Sequence, residues 1–291
     1  MHKAIARMLA QYESRNIEDY VRALREILQE ITLLGLWRSK FFERSAFYGG
    51  TALRVLYGLD RFSEDLDFTL LVPTDQFDMS SHTDALQREL NSFGFDVHIE
   101  LRQKTGRSAV QSTFLKARTF EQLLYIDTPL EMVRQIPKGQ VTKIKVEVDT
   151  DPPPGFDTET KYLLTPIPFS VRTVAIPDLF AGKMHAALCR RWKNRVKGRD
   201  WYDLVWFVTY HSILHLAHLE ARMRQTGDWK EKDSLTPAAF LRISHEVIDG
   251  LDIEQARREV EPFVKYPENL GVWSAEFFHD LVSRIQFREA E

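Results

Sequence analysis

The sequence predicts an α/β (α+β) chain in two parts: a mixed α/β part over residues 1–175 and an all-helical part over residues 176–291. Two observations carry this division. Up to about residue 175, short β-rich segments alternate with amphipathic helical ones, whereas beyond it almost every apolar pattern has the helical period. The change follows Pro152-Pro153-Pro154-Gly155, a turn or linker composition.

The elements follow in order. Residues 17–36 place Val21, Leu24, Ile27, Leu28, Ile31 and Leu34 at three- and four-residue steps, which predicts an amphipathic helix. Ser45 to Gly50 reads as a short strand ending in a glycine turn. Thr51 then caps a helix that Gly58 ends. Glu64 to Val72 is β-rich and stops at Pro73. Residues 83–93 look helical, and 95–102 with 109–116 look like a hairpin around Lys104–Arg107. Val141 to Asp149 alternates apolar and polar, a strand with one polar face. Phe169 to Ala175 is extended, and Pro177 opens a helix running to about Arg191. Helices are predicted over 200–211, 213–225, 236–249, 253–261 and 274–287.

Composition narrows the class. Apolar residues make up 44% and charged residues 28% of 291 residues, which excludes disordered, collagenous and disulfide-stapled chains. Cys189 is the single cysteine, so no disulfide within the chain and no Cys-cluster zinc site can form. No apolar run is long enough to span a bilayer, and the N-terminus lacks the pattern of a signal peptide, so a cytoplasmic protein without membrane association is expected. The net charge of −3 gives no sign of a nucleic-acid partner, but it conceals how the charges are distributed.

The segment FYGGTALRVLYGLDRFSEDLDF carries the strongest chemical signal. Gly49-Gly50 lets a backbone approach a ligand closely, and the helix that follows aims its N–H groups at that place, which suits phosphate. Fourteen residues after Gly50 comes Glu64-Asp65-Leu66-Asp67-Phe68. In a strand Asp65 and Asp67 share one face while Leu66 and Phe68 enter the core. Two such carboxylates suit a pair of Mg²⁺ ions, the usual clamp for displacement at phosphorus. The bland reading is a turn followed by a solvated strand face.

Two further groups are notable. Lys143, Lys145, Glu147 and Asp149 share the polar face of their strand. If that strand pairs beside Asp65–Asp67, Glu147 or Asp149 completes a three-carboxylate site as general base or metal ligand, with Glu147 preferred. The alternative is a charged edge strand. Between Lys183 and Arg199 lie seven cations and no acid: Lys183, Arg190, Arg191, Lys193, Arg195, Lys197 and Arg199. Trp192, Trp201, Tyr202 and Trp206 are interleaved with or follow them, as in surfaces that hold phosphates and stack bases. The alternative is a solvated loop beside core tryptophans. Asp200 reads as the N-cap of the helix that follows. His211, His215 and His218 would line one helix face, and core or interface histidines are expected there rather than a metal. His185 either reaches the place of Lys183 or faces a domain interface.

Gly49-Gly50-Thr51-Ala52-Leu53, Arg61-Phe62-Ser63-Glu64-Asp65-Leu66-Asp67-Phe68, Lys183 within DLFAGKMHAAL, and Arg199-Asp200-Trp201-Tyr202-Asp203-Leu204 occur in this order. Together they resemble the motifs of the AbiEii/MenT nucleotidyltransferase toxins, within the DNA polymerase β-like nucleotidyltransferase superfamily. The resemblance implies a nucleotidyltransferase mixed-sheet domain and a helical domain that contributes Lys183 and Asp200 to the cleft. It implies Mg²⁺-dependent transfer of NMP from an NTP to the 3′ end of tRNA, which blocks translation, and a cognate antitoxin partner. It makes Asp65 and Asp67 the metal-binding residues. Gly49, Gly50, Thr51, Ser63 and Lys183 become nucleotide-binding, and Asp200, or alternatively Asp203, the late acid. Arg190, Arg191, Lys193, Arg195 and Lys197 are the expected RNA-binding residues. The other readings are transfer to a protein or small molecule, and a non-catalytic relative that only binds RNA or protein.

Overall fold

A computed structural model describes residues 3–102, 110–118, 130–137, 139–190 and 196–288. The chain forms two compact units. The first comprises Met1–Ala52, Glu64–Pro152 and Thr160–Thr173, and the second Leu53–Ser63, Pro153–Glu159 and Val174–Glu291. Residues 53–63 and 153–159 therefore group with the later helices, although they lie within the sequence of the α/β part.

The sheet has seven strands: β1 (Ser45–Tyr48), β2 (Leu66–Leu70), β3 (Val97–Arg102), β4 (Val110–Arg118), β5 (Val141–Asp149), β6 (Thr158–Leu163) and β7 (Phe169–Val174). Their order across the sheet is β3-β4-β5-β2-β1-β7-β6. β2 runs antiparallel to β1 and parallel to β5, so the sheet is mixed, as expected. β3 and β4 form the expected antiparallel pair, and the turn expected at residues 104–107 lies outside the described residues. β6 is an addition to the expected strands. Its residues TETKYL alternate weakly in polarity, and it lies at the sheet edge, where no buried face forces an apolar pattern.

Helices α1 (Lys3–Leu9), α2 (Ile17–Arg38), α3 (Gly49–Tyr57), α4 (Ser80–Ser92) and α5 (Leu130–Val133) accompany the strands. In α2, Leu24, Ile27, Leu28, Ile31 and Leu34 are buried, the face that the sequence spacing picks out. Its start is capped by Asn16, whose side chain accepts from the Asp19 N–H. Burying a leucine or isoleucine contributes about 1.5–3 kcal/mol. Leu66 and Phe68 are fully buried, and Phe68 packs against Phe41 and Phe47 with ring centroids 5.0 and 5.1 Å away. One face of β2 is thus anchored in aromatic core, which turns Asp67 to the other face.

The second unit contains α6 (Ile176–Cys189), α7 (Gly198–Tyr210), α8 (Leu216–Thr226), α9 (Pro237–Asp249), α10 (Ile253–Val260) and α11 (Ala275–Ser283). It is not wholly helical. Ile213–Leu214 (β8) pairs in parallel with Gln286–Phe287 (β9), which shortens the helices expected over 213–225 and 274–287. Phe180 and Phe207 stack at 4.4 Å in its core. Among the described residues no helix is long and apolar enough to cross a membrane.

Candidate active site

In the first unit the acidic strand is built by three supports. α3 begins directly at Gly49, so Thr51 is its third residue rather than the expected cap. Its hydroxyl donates instead to the Asp65 carbonyl. From α2, the Gln29 side-chain amide donates to the Glu64 carbonyl at 3.0 Å, and the Arg25 guanidinium pairs with the Glu64 carboxylate. These bonds set the backbone at residues 64–65, immediately before β2. They also commit Glu64 to Arg25. Arg25 and Gln29 escaped the sequence reading, although two polar residues one turn apart beside an apolar helical face were a visible signal.

The register then brings carboxylates together. β2 and β5 are parallel neighbours with Asp67 directly beside Glu147, so their side chains share a face. The Ser112 hydroxyl donates to Glu147 Oε1 at 3.1 Å, and Lys145 Nζ lies 2.7 Å from Glu147 Oε2. Asp149 sits opposite Thr69 and accepts from the Asp151 N–H at 3.1 Å, which makes it a turn residue at the strand end. Glu147 is therefore the residue of that strand placed beside Asp67. Asp65 is exposed and Asp67 half-buried. The donors are carboxylate oxygens with water access, without sulfur or imidazole, a set that fits a hard cation such as Mg²⁺.

Gly49 has φ +84°, a conformation that a side chain rarely adopts. A Cβ there would fall 2.5 Å from Asp67 Oδ2. Glycine is needed at this strand-to-helix junction because the Asp67 carboxylate occupies the space. Gly50 is buried in the first turn of α3, and Ser63 lies half-buried in the connection before Glu64.

In the second unit, Arg61 and Asp203 form a bidentate pair, Nε to Oδ1 at 2.5 Å and the terminal nitrogen to Oδ2 at 2.6 Å, both side chains at most 3% exposed. Lys183 Nζ lies 2.7 Å from Asp203 Oδ2 and 3.7 Å from Asp200 Oδ1. Burial pushes the Asp203 carboxyl up, but Arg61 and Lys183 outweigh it and hold it below the usual range. Removing one partner of such a buried pair costs about 3–5 kcal/mol. Asp203 thus serves Arg61, and Asp200 is the neighbouring acid without that bond. Arg61 belongs to the quoted motif but carries no role in the sequence reading; its partner is 142 residues away.

Asp200 is not the cap of α7. The helix starts two residues earlier, and α10 meets the chain there: Glu259 Oε2 accepts from the N–H of Arg199 in the first turn at 3.1 Å, and Gln255 Oε1 from that of Val196, just before the helix, at 2.8 Å. Gly198 permits this approach, since a Cβ there would overlap the Ala256 carbonyl. Lys197 loses affinity for its proton through burial and the nearby charges of Lys183, Arg190 and Arg199, against the attraction of Asp200. Arg190 is exposed at the end of α6; Arg191, Lys193 and Arg195 lie outside the described residues.

The three histidines do not line one helix. His211 ends α7, His215 precedes α8, and His218 lies within α8. His215 Nδ1 sits 2.5 Å from Asp178 Oδ1, and His218 is buried between the Pro154 carbonyl and Arg222. Burial, helped by Arg222, drops His218 to about 3. His185 turns to α8, with Nε2 3.0 Å from the Thr226 hydroxyl.

Comparison with known proteins assigns the chain. The family described as "Nucleotidyl transferase AbiEii toxin, Type IV TA system" matches residues 31–280, and the protein belongs to that family. It is a nucleotidyltransferase-family toxin of a toxin–antitoxin system, which implies an antitoxin partner. The fold is similar to JHP933 from Helicobacter pylori, at 17% identity over 90% of this chain and 94% of that one, TM-score 0.47. It is also similar to MenT4, a nucleotidyltransferase toxin from Mycobacterium tuberculosis H37Rv, at 16% identity over 98% of this chain and 88% of that one, TM-score 0.47. No curated protein matches the sequence.

Proposed function

We propose that this protein transfers a nucleoside monophosphate from an NTP to the 3′ end of tRNA, in the presence of Mg²⁺, and so halts translation. The observation that carries the reading is the register of Asp67 beside Glu147, with Asp65 two residues upstream of Asp67. Asp65 and Asp67 are the residues that would hold magnesium, which when bound neutralises phosphate charge. Gly49 and Gly50 keep side chains away from the start of α3, whose N–H groups favour phosphate oxygens. Thr51 keeps the Asp65 backbone in place. Ser63 and Lys183 are assigned to the nucleotide, with Lys183 exchanging Asp203 and Asp200 for phosphate oxygens. An acceptor hydroxyl attacks the α-phosphorus, its proton passes to Glu147 or Asp200, and pyrophosphate leaves. Arg190, Arg191, Lys193, Arg195 and Lys197 are assigned to RNA phosphates. A tRNA acceptor would place the protein in the cytoplasm.

The test is incubation with each labelled NTP, Mg²⁺ and total tRNA. Labelled tRNA is expected, with Asp65→Asn and Asp67→Asn folded by circular dichroism but reduced to background transfer. Labelled protein or a labelled small molecule would replace the acceptor, and no label with any NTP would leave a binding protein. Wild-type transfer by Asp65→Asn would sink the assignment of the acidic strand.

A further inference from the structure

We propose that His185, Cys189 and Asp228 form a metal site of the zinc class in the second unit. His185 and Cys189 are four residues apart on α6, so they lie one turn apart on one face. α8 packs along α6 and ends at Gly227, whose φ of +78° turns the chain back so that the Asp228 N–H meets the Met223 carbonyl at 2.8 Å. That turn carries the Asp228 carboxylate to the same place. One ligand atom from each residue lies within 4.8 Å of the other two. Tetrahedral zinc with bonds of about 2.0–2.3 Å wants about 3.3–3.8 Å between ligand atoms, a closure within reach of side-chain rotation.

A second feature points the same way. The Thr226 hydroxyl donates to Asp228 Oδ2 at 2.6 Å and lies 3.0 Å from His185 Nε2. The same hydroxyl lies 3.1 and 3.3 Å from the Arg222 and Met223 carbonyls, so the end of α8 fixes it between the two side chains. Thr226 thus orients two of the three ligands, the arrangement that tunes metal sites. A thiolate, an imidazole and one carboxylate favour zinc-class ions over magnesium. On binding, the Cys189 thiol releases its proton to solvent as the sulfur–metal bond forms, with no change of oxidation state. Asp228 is exposed, which leaves a fourth position for water. The bound ion would tie the end of α6, the helix that carries Lys183, to the turn after α8.

Cobalt titration of the full chain tests this. Because Cys189 is the single cysteine, a thiolate–cobalt charge-transfer band in the near ultraviolet reports on this site alone. The acidic strand cannot produce it, so the outcome is independent of the transferase reading. A band that saturates at one equivalent and is displaced by zinc is expected. It should vanish in Cys189→Ser and need at least about tenfold more cobalt in His185→Gln and Asp228→Asn. Asp228 is on the surface, so that variant keeps the test valid if Cys189→Ser folds poorly. Absence of the band at stoichiometric cobalt, or unchanged affinity in both His185→Gln and Asp228→Asn, would overturn the proposal.

Discussion

Gly49 shows how one residue couples backbone and chemistry. It takes φ +84° and leaves room that Asp67 Oδ2 occupies. Gly58 takes φ +81° with nothing within 4 Å of where its Cβ would be. Alanine at either position incurs the left-handed penalty of about 1–2 kcal/mol. Only Gly49→Ala also displaces the Asp67 carboxylate. Urea unfolding should therefore show Gly58→Ala destabilised by about 1 kcal/mol and Gly49→Ala by more. Transfer to tRNA should survive in Gly58→Ala and fall toward the Asp67→Asn level in Gly49→Ala. Equal activity in the two variants would refute the close-approach role. The Gly-Gly pair and the two aspartates were legible as residues. That Gly49 makes room for Asp67 was not, because the approach crosses from β1 to β2.

At the scale of elements, α2 does more than bury an apolar stripe. Through Gln29 and Arg25 it holds the entry to β2, and through Glu30 it carries a conditional charge. Burial lifts the Glu30 carboxyl to about 7, with Glu26 adding to the rise and the hydrogen bond from Thr165 opposing it. The folded state then holds a proton that the unfolded chain has released between about pH 4.5 and 7, so stability declines as pH rises through that window. Glu30→Gln removes the titration and can keep the Thr165 bond. Thermal unfolding at pH 8 should find this variant more stable than the wild type by about 3 kcal/mol, with little difference at pH 4. A pH-independent gap would show that Glu30 is not the titrating group. The helix itself was legible from its apolar period. Its pairing with Thr165 and the edge strand β6 were not, since neither leaves a periodic trace.

For the molecule as a whole, the charge of −3 is a sum over opposed clusters. Carboxylates gather at 64–67 and at 147, while seven cations run from 183 to 199. RNA affinity should therefore fall steeply with salt. Replacing Arg190, Arg191 and Lys193 by alanine should weaken tRNA binding. It should also flatten the slope of log K against log salt by about 0.7–0.9 for each phosphate that is no longer neutralised. An unchanged slope would place the RNA path elsewhere. The sequence alone determined most strands and helices and the close spacing of Asp65 and Asp67, because these depend on short-range periodicity and on residues a few positions apart, while the order of its separated motifs implied the mixed sheet and the family. Tertiary structure alone decided that the two strands pair in the register that sets the preferred Glu147 beside Asp67, that Asp203 joins Arg61 and Lys183, and that α10 meets the start of α7. Each of those depends on strand register or on partners scores of residues away, and no local pattern encodes which distant groups a fold will bring within hydrogen-bond reach.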